Sequence, residues 1–383
     1  MYFIVATLII AVACSLITVR VLVSYNDFGL LVKLLVGFIV TVSWFMPPIL
    51  HFIRRNLPVS AETYSLISAV GYTLFGFAFI LFMMLMLRDL LWFASGQLAR
   101  LFQYQAAWLD PKNAFWLGWS NLAVVVLSLL LAGYAVFSAI RIPEVKTVEF
   151  ASPKLNKEIS LVHLSDLHIN RSTSADRIRA IVDKVNALKP DVIVITGDLV
   201  DDNPAAIRDK MQILADLKSP EGVYVSIGNH ELYAGLLNWL KEFKRLGFKV
   251  LLNNGELLKN KRVFIAGVAD AGSFAFKPEL SLNLSPSAPA GQGRPYRILL
   301  SHYPQYADYL DEVEVDLQLS GHTHGGQIFP FHFLAWRANK YLAGAYRVKN
   351  ADLYVSRGTG YWGPPMRLFA PAEIALIKIK PQE

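Results

Sequence analysis

Five short runs in the C-terminal half collect the side chains best suited to hold a metal ion. They are Asp166-Leu167-His168, Gly197-Asp198, Gly228-Asn229-His230-Glu231, Ser301-His302 and Gly321-His322-Thr323-His324. Together they contain five of the eight histidines. Carboxylate, imidazole and amide donors without a thiolate favour Mn²⁺, Fe or Zn²⁺, whereas a Ca²⁺ cage has little use for imidazole. Any one of the runs alone reads as a turn, a cap or a core histidine; five in this order read as one site. The single cysteine, Cys14, lies far upstream in an apolar run, which excludes a thiolate centre and an intramolecular disulfide.

The segments before these runs must position them. Ile159–Leu164, Val192–Thr196, Gly222–Ile227, Arg297–Leu300 and Leu317–Ser320 read as short buried strands, with Glu373–Ile379 as another. Ser174 predicts the N-cap of a helix that places Ile178, Ile181, Val182, Val185 and Leu188 on one face and ends before Pro190. Strands alternating with amphipathic stretches predict an α/β domain. Each polar run opens a loop at the carboxyl end of a strand, the edge where open α/β sheets place their sites. Ser281–Arg294, rich in Pro, Ser, Gly and Ala, reads as a surface loop without chemistry of its own.

The N-terminal part is a different material. Only seven Lys/Arg and four Asp/Glu occur in residues 1–140, and the whole chain is 54% hydrophobic with 17% charged residues. These values exclude disorder and a single soluble core. Four apolar runs, near Tyr2–Leu22, Leu30–Leu50, Leu66–Leu87 and Leu117–Ile140, each reach the roughly 20 residues that a membrane-spanning helix needs. The first lacks a basic flank and is followed by three more, so it reads as an anchor rather than a secretory signal. Pro47-Pro48 should end or kink the second span. Arg88–Trp116, with Trp92, Phe93, Phe102, Tyr104, Trp108 and Trp116, reads as an interfacial segment between spans three and four. No intramembrane carboxylate or histidine pathway suggests a transporter. The expected division is a transmembrane region over 1–140, a linker over 141–158 and a catalytic domain over 159–383.

Charge bias sets the orientation. Arg54 and Arg55 lie between spans two and three, and Arg141, Lys146, Lys154 and Lys157 follow span four, whereas Ser24–Asp27 has no basic residue. This places the C-terminal domain in the cytoplasm, against a third loop that also carries Arg88, Arg100 and Lys112. The expected location is the cell (inner) membrane, with the lipid bilayer as partner and no protein partner implied. A sequence pI of about 9.3 invites a nucleic-acid reading, but no Lys/Arg block supports one.

The motifs D-L-H, G-D-L-V-D, G-N-H-E, S-H-Y-P and G-H-T-H-G-G resemble the five blocks of the calcineurin-like metallophosphoesterases. The extended G-H-T-H-G-G-Q and the later Y-V-S-R-G-T-G resemble the bacterial membrane-associated branch. The resemblance covers about Ile159–Lys380 and implies a β-sandwich flanked by helices, with two divalent metal ions at the strand ends. It further implies that Asp166, His168 and His324 bind one ion, that Asn229, His302 and His322 bind the other, and that Asp198 bridges them. Such a pair clamps a phosphoryl group and lowers the pKa of the water between the ions enough to give hydroxide at neutral pH. By the same resemblance His230 faces the substrate and protonates the leaving oxygen, a task that suits an imidazole. Asp201 matches the residue that orients this histidine, or else caps its loop, and Glu231 is either supporting or structural.

One departure is informative. Protein Ser/Thr phosphatases continue as D-R-G with an Arg on the substrate phosphate, but this chain reads Asp201-Asp202-Asn203. Arg171 is the nearest alternative cation for substrate binding, or a solvated loop residue. Ile328–Trp336, I-F-P-F-H-F-L-A-W, is too aromatic for an ordinary loop. It reads as core, as an apolar substrate wall that includes Phe333 and Trp336, or as a segment dipping into the membrane interface. Tyr361, Trp362, Pro364 and Pro365 would extend that wall. The expected function is hydrolysis of a phosphate mono- or diester, amphiphilic or lipid-linked. The alternatives are a nuclease or nucleotide phosphodiesterase and a catalytically silent phosphate-binding membrane module.

Overall fold

The computed structural model describes residues 2–23, 29–110, 113–259, 262–272, 283, 294–312 and 314–382. The basic-free loop Ser24–Asp27, Lys112 and nearly all of the Ser281–Arg294 loop lie outside the described residues. The chain divides into two compact units, residues 1–137 with 363–368, and residues 138–362 with 369–383.

The first unit is helical: α1 (Tyr2–Val23), α2 (Leu30–Asn56), α3 (Ala61–Leu101) and α4 (Ala114–Ile140). Among the described residues three helices are long and apolar enough to cross a bilayer, Leu30–Arg54, Glu62–Leu101 and Ala114–Ile140. Leu8–Val23 is a shorter apolar helix, so the expected count of four spans holds only approximately. Pro47 and Pro48 do not end α2, which runs through them to Asn56. Trp44, one turn earlier, is gripped edge-on by Phe75 and Phe82 at 5.7 and 5.8 Å, packing that offsets the missing backbone donors.

The largest correction in this unit concerns Arg88–Trp116. The helix does not stop at Leu87 but continues as α3 to Leu101, since no proline interrupts a run of good helix formers. Arg88 is therefore a helix residue. Its guanidinium donates to Asp89 Oδ1 (2.6 Å), Ser120 Oγ (2.7 Å) and Asn121 Oδ1 (2.9 Å). Asn121 in turn donates to the Val21 carbonyl (3.3 Å), which ties α1, α3 and α4 through one satisfied polar cluster. Residues 363–368 also belong to this unit: the Arg367 amide donates to the Ala135 carbonyl (2.8 Å). Gly76 leaves the space that Met366 and Pro364 occupy. Pro364, expected beside the substrate, is a packing residue here.

The second unit follows in chain order as β1 (Glu144–Ser152), β2 (Ile159–Leu164), α5 (Ala175–Ala187), β3 (Val192–Thr196), α6 (Pro204–Gln212), β4 (Val223–Ser226), α7 (Asn229–Tyr233), α8 (Leu236–Arg245), β5 (Lys249–Val250), β6 (Asn254–Leu257), β7 (Val263–Gly267), β8 (Tyr296–Leu300), β9 (Leu317–Ser320), α9 (His332–Asn339), β10 (Gly344–Val348), β11 (Ala351–Val355) and β12 (Glu373–Pro381). Two six-stranded sheets form, ordered β1-β12-β2-β3-β4-β5 and β10-β11-β9-β8-β7-β6. β2 to β5 run parallel in the first sheet, and β7, β8, β9 and β11 run parallel in the second.

Strands buried on both faces need apolar residues at successive positions, and these have them. Leu161, Val192, Val194 and Tyr224 point to a core shared with Ile265, Ile298, Leu300 and Leu319 of the other sheet. Their neighbours Val162, Leu164, Ile193 and Ile195 point the other way, onto Ile181 of α5, Met211 of α6 and Trp239 of α8. Ser174 caps α5 as expected, accepting from the Arg177 amide (3.1 Å). The stretch 141–158 is more than a linker: β1 lies within it and pairs in parallel with β12, from Glu144 opposite Glu373 to Ser152 opposite Pro381.

Candidate metal centre

Parallel strands bring their carboxyl ends to one edge. Here Asp166 and His168 follow β2, Asp198 follows β3, Asn229 follows β4, His302 follows β8, and His322 and His324 follow β9. Five of these residues have left-handed backbone, with φ of 53° at Asp166, 49° at His168, 51° at Asp198, 71° at His322 and 51° at His324. For non-glycine residues this costs on the order of 1–3 kcal/mol each and persists only where neighbours over-determine it. Inter-loop hydrogen bonds do so: Asp166 N–H to Gly197 O (3.1 Å), His168 N–H to Asp198 O (3.0 Å) and Gly321 N–H to His302 O (3.1 Å). The glycines are there for close approach. A Cβ at Gly228 would strike Asp198 Oδ1, and one at Gly321 would strike Ser165 Oγ and Asp166 Oδ2.

The ligating atoms converge. Asp166, His168 and His324 form one group, Asp198, His302 and His322 a second, and His168, Asp198 and His230 a third, with the atoms of each group within 4.8 Å of one another. Asp198 Oδ2 lies 3.1 Å from His302 Nε2, 3.8 Å from His168 Nε2 and 3.9 Å from His230 Nε2, at the centre of the cluster. Asn229 Oδ1 accepts from the Tyr303 hydroxyl (3.3 Å), whose ring lies 4.3 Å from that of His322.

Tautomers test whether these residues fit a cation. His302 Nδ1 lies 2.8 Å from the Thr196 carbonyl, which can only accept, and His168 Nδ1 lies 2.7 Å from Asp201 Oδ1. Both Nδ1 atoms therefore carry hydrogen, and both Nε2 lone pairs face inward. There His168 Nε2 meets His324 Nε2 at 3.0 Å, and His302 Nε2 meets His322 Nδ1 at 3.2 Å. Ring nitrogens gathered this closely beside buried carboxylates are the donor arrangement of a metal site. Burial pushes the carboxyls of Asp166 and Asp198 up, but the imidazoles beside them win and hold both well below the usual range. Burial likewise pushes His168 and His302 down, and the carboxylates win, raising them to about 9 and about 10. A divalent cation answers the same negative field in place of those protons, so the residues fit a metal.

Two neighbours do more than the sequence suggested. Asp201 Oδ1 accepts from His168 Nδ1 and from His230 Nδ1, each at 2.7 Å, so it orients two imidazoles rather than one. Glu231, fully buried, accepts from the amides of Gly228 (2.7 Å), Asp198 (3.0 Å) and Leu199 (2.7 Å). It is the strut that holds the β3 loop against the β4 loop. Burial, with the charge of Asp198 added, pushes its carboxyl up to about 7.

Of the residues suggested for substrate binding, Trp362 lies beside His230, 5.9 Å from its ring. Arg171 turns to Asp202, its amide donating to Oδ2 (3.0 Å) and its Nε lying 3.9 Å from Oδ1. Phe333 and Trp336 on α9 are 61% and 55% exposed, which removes the core reading, and the Phe333 ring packs at a tilt against Phe329 and His332. The rings beside the His230 imidazole are Tyr233 at 5.4 Å and Trp362 at 5.9 Å, the second of them expected from the sequence to extend the wall. Tyr233 was missed, although it sits three residues after His230 on α7 and so shares its face. Trp362 is fixed by Gln327, whose amide donates to its carbonyl (2.7 Å) and accepts from its N–H (2.9 Å).

Comparison with known proteins agrees with this geometry. The family model for calcineurin-like phosphoesterase matches residues 159–326. A Campylobacter jejuni protein named as an uncharacterized metallophosphoesterase is 36% identical over 272 residues, covering 68% of this chain and 69% of its own. One from Helicobacter pylori J99, similarly named, is 33% identical over 287 residues, covering 73% and 76%. A zebrafish (Danio rerio) protein named as a transmembrane protein with metallophosphoesterase domain is 32% identical over 269 residues, covering 67% and 62%.

Proposed function

Since this chain belongs to the calcineurin-like metallophosphoesterases and is a membrane-anchored, metal-dependent phosphoric ester hydrolase, we propose that it cleaves an amphiphilic phosphate ester at a two-metal centre. The observation that carries this reading is the pair of donor groups around Asp198, with His230 beside them and two exposed aromatic rings beside His230. Asp166, His168 and His324 would hold one divalent ion, Asn229, His302 and His322 the other, and Asp198 both; Mn²⁺, Fe and Zn²⁺ suit the donors. When bound, such ions supply Lewis acidity toward the phosphoryl oxygens and the attacking water.

The chain's own residues do the rest. Asp201 fixes the hydrogen of His230 on Nδ1, so the proton for the leaving oxygen sits on Nε2. Tyr233 is 76% and Trp362 55% exposed, so both rings offer apolar surface beside the imidazole. The substituent on the departing oxygen would lie between them, which favours a bulky apolar group.

Purified protein is tested on a lipid phosphate, its short-chain soluble analogue, a chromogenic phosphodiester and single-stranded DNA, each with and without Mn²⁺. Mn²⁺-dependent turnover of the lipid ester is expected, and faster turnover of DNA would favour the nuclease reading. Tyr233→Ala with Trp362→Ala should lower kcat/KM for the lipid ester at least about tenfold, equivalent to about 1.4 kcal/mol. Turnover of the short-chain analogue should change little. Equal losses on both would make the rings structural.

We place the catalytic domain in the cytoplasm, at the inner membrane. Arg54, Arg141, Lys146 and Lys154 support this. Arg88, which weighed against it, counts as a helix residue paired with Asp89 rather than as a loop charge. Protease added to intact cells should leave the domain uncut, and inverted vesicles should expose it; the reverse pattern would overturn the orientation.

A further inference from the structure

A surface helix on a soluble domain turns its apolar stripe inward and its polar face to water. Helix α9 does the opposite. Its buried positions are Ala335 and Asn339, while Phe333, Leu334 and Trp336 face outward at 61%, 64% and 55% exposure. The patch continues through exposed Phe329 and Phe331, and Phe369 joins it with its ring 5.8 Å from that of Phe329. Exposed Arg337 adds a basic residue on the same helix, and Lys340, next to its end, pairs with Asp308 (2.7 Å). Six large exposed apolar side chains with Arg337 beside them form a face of the kind that lies in a membrane interface.

Its place in the chain says what covers it. Helix α4 ends at Ile140 and β1 begins at Glu144, so three residues, at most roughly 10–11 Å of extended chain, separate the domain from a membrane-spanning helix. Leu368, the residue before Phe369, belongs to the helical unit. A domain tied by so short a link to a membrane-spanning helix meets lipid at very high effective concentration in every molecule, which a soluble partner would have to exceed.

We propose that the outward face of α9, with Phe329, Phe331 and Phe369, docks onto the lipid bilayer. Because α9 begins directly on the metal loop, where Gly326 packs against the backbone of His332, this docking holds the candidate metal centre at the membrane surface. The inference rests on the membrane anchoring in the proposed function and not on which ester is cleaved.

The test uses the full chain with Cys14 replaced by serine and a single nitroxide-labelled cysteine at Phe333, Leu334 or Phe369. Lys218, just before β4 and so at the strand end remote from the metal ligands, serves as control. Protein is reconstituted in phosphatidylcholine–phosphatidylglycerol vesicles, and collision rates with oxygen and with a water-soluble nickel complex are compared. Oxygen should dominate at 333, 334 and 369 and the nickel complex at 218. Nickel accessibility at the three sites equal to that at 218 would put the face in water and overturn the proposal. Shielding from both reagents would mean a second copy or another protein covers it, and would overturn it equally. Retained turnover of the short-chain ester verifies that each labelled protein is folded, and the depth readout stays interpretable even if the lipid substrate reading fails.

Discussion

Asp198→Asn should cost the protein both metal ions and, with them, its turnover. The carboxylate takes part in two of the three donor groups, and its Oδ2 lies 3.1 Å from His302 Nε2. Substituting an amide removes one negative charge from the centre of the cluster. It also offers either a neutral oxygen or two N–H donors where a lone pair must face a cation. Asp198 shares one group with His302 and His322 and reaches the other proposed ion site through His168, 3.8 Å from its Oδ2, so the loss should not be confined to one ion. The substitution is isosteric, and the loop is held through the Asp198 amide by Glu231 rather than through the side chain alone, so the fold should survive. Elemental analysis of purified protein, with circular dichroism to verify folding, gives the answer. A folded Asp198→Asn protein that still carries two ions would refute the bridging assignment.

The candidate ligands were legible because their positions follow from a local rule. Each stands just after a short apolar run, and parallel strands deliver their carboxyl ends to the same edge whatever the loops between them do. What depended on pairing across the chain was not legible. β1 has little apolar alternation of its own and becomes a strand only by pairing with β12, more than 200 residues later. Helix α3 was cut short because hydropathy falls at Arg88 and Asp89, yet helix formation needs only the absence of a breaker and partners for the charge, which Ser120 and Asn121 provide. The aromatic run Ile328–Trp336 was visible as unusual, but a stretch of phenylalanines carries no signal for which way it faces. Tyr233 and Trp362 meet at His230 only through the fold.

The shared acceptor at Asp201 allows catalysis and metal retention to be separated by substitution. His230→Ala should leave two ions in place and lower the rate about 10²–10⁴-fold, the usual loss for a general acid. Asp201→Asn should do something different. One of its oxygens takes hydrogen bonds from both His168 and His230, so losing the charge loosens a metal ligand as well as the acid. Outer-shell carboxylates on ligating histidines typically change metal affinity about 10–100-fold, so Asp201→Asn should both slow the reaction and weaken ion binding in chelator titrations. The double variant decides between the two roles. If Asp201 acted only through His230, adding Asp201→Asn to His230→Ala would change neither rate nor metal affinity. Because it also anchors His168, the double variant should retain the rate loss of His230→Ala and acquire the weakened metal binding of Asp201→Asn. A double variant that binds metal as tightly as His230→Ala would show that the 2.7 Å contact with His168 does not hold that ligand in place.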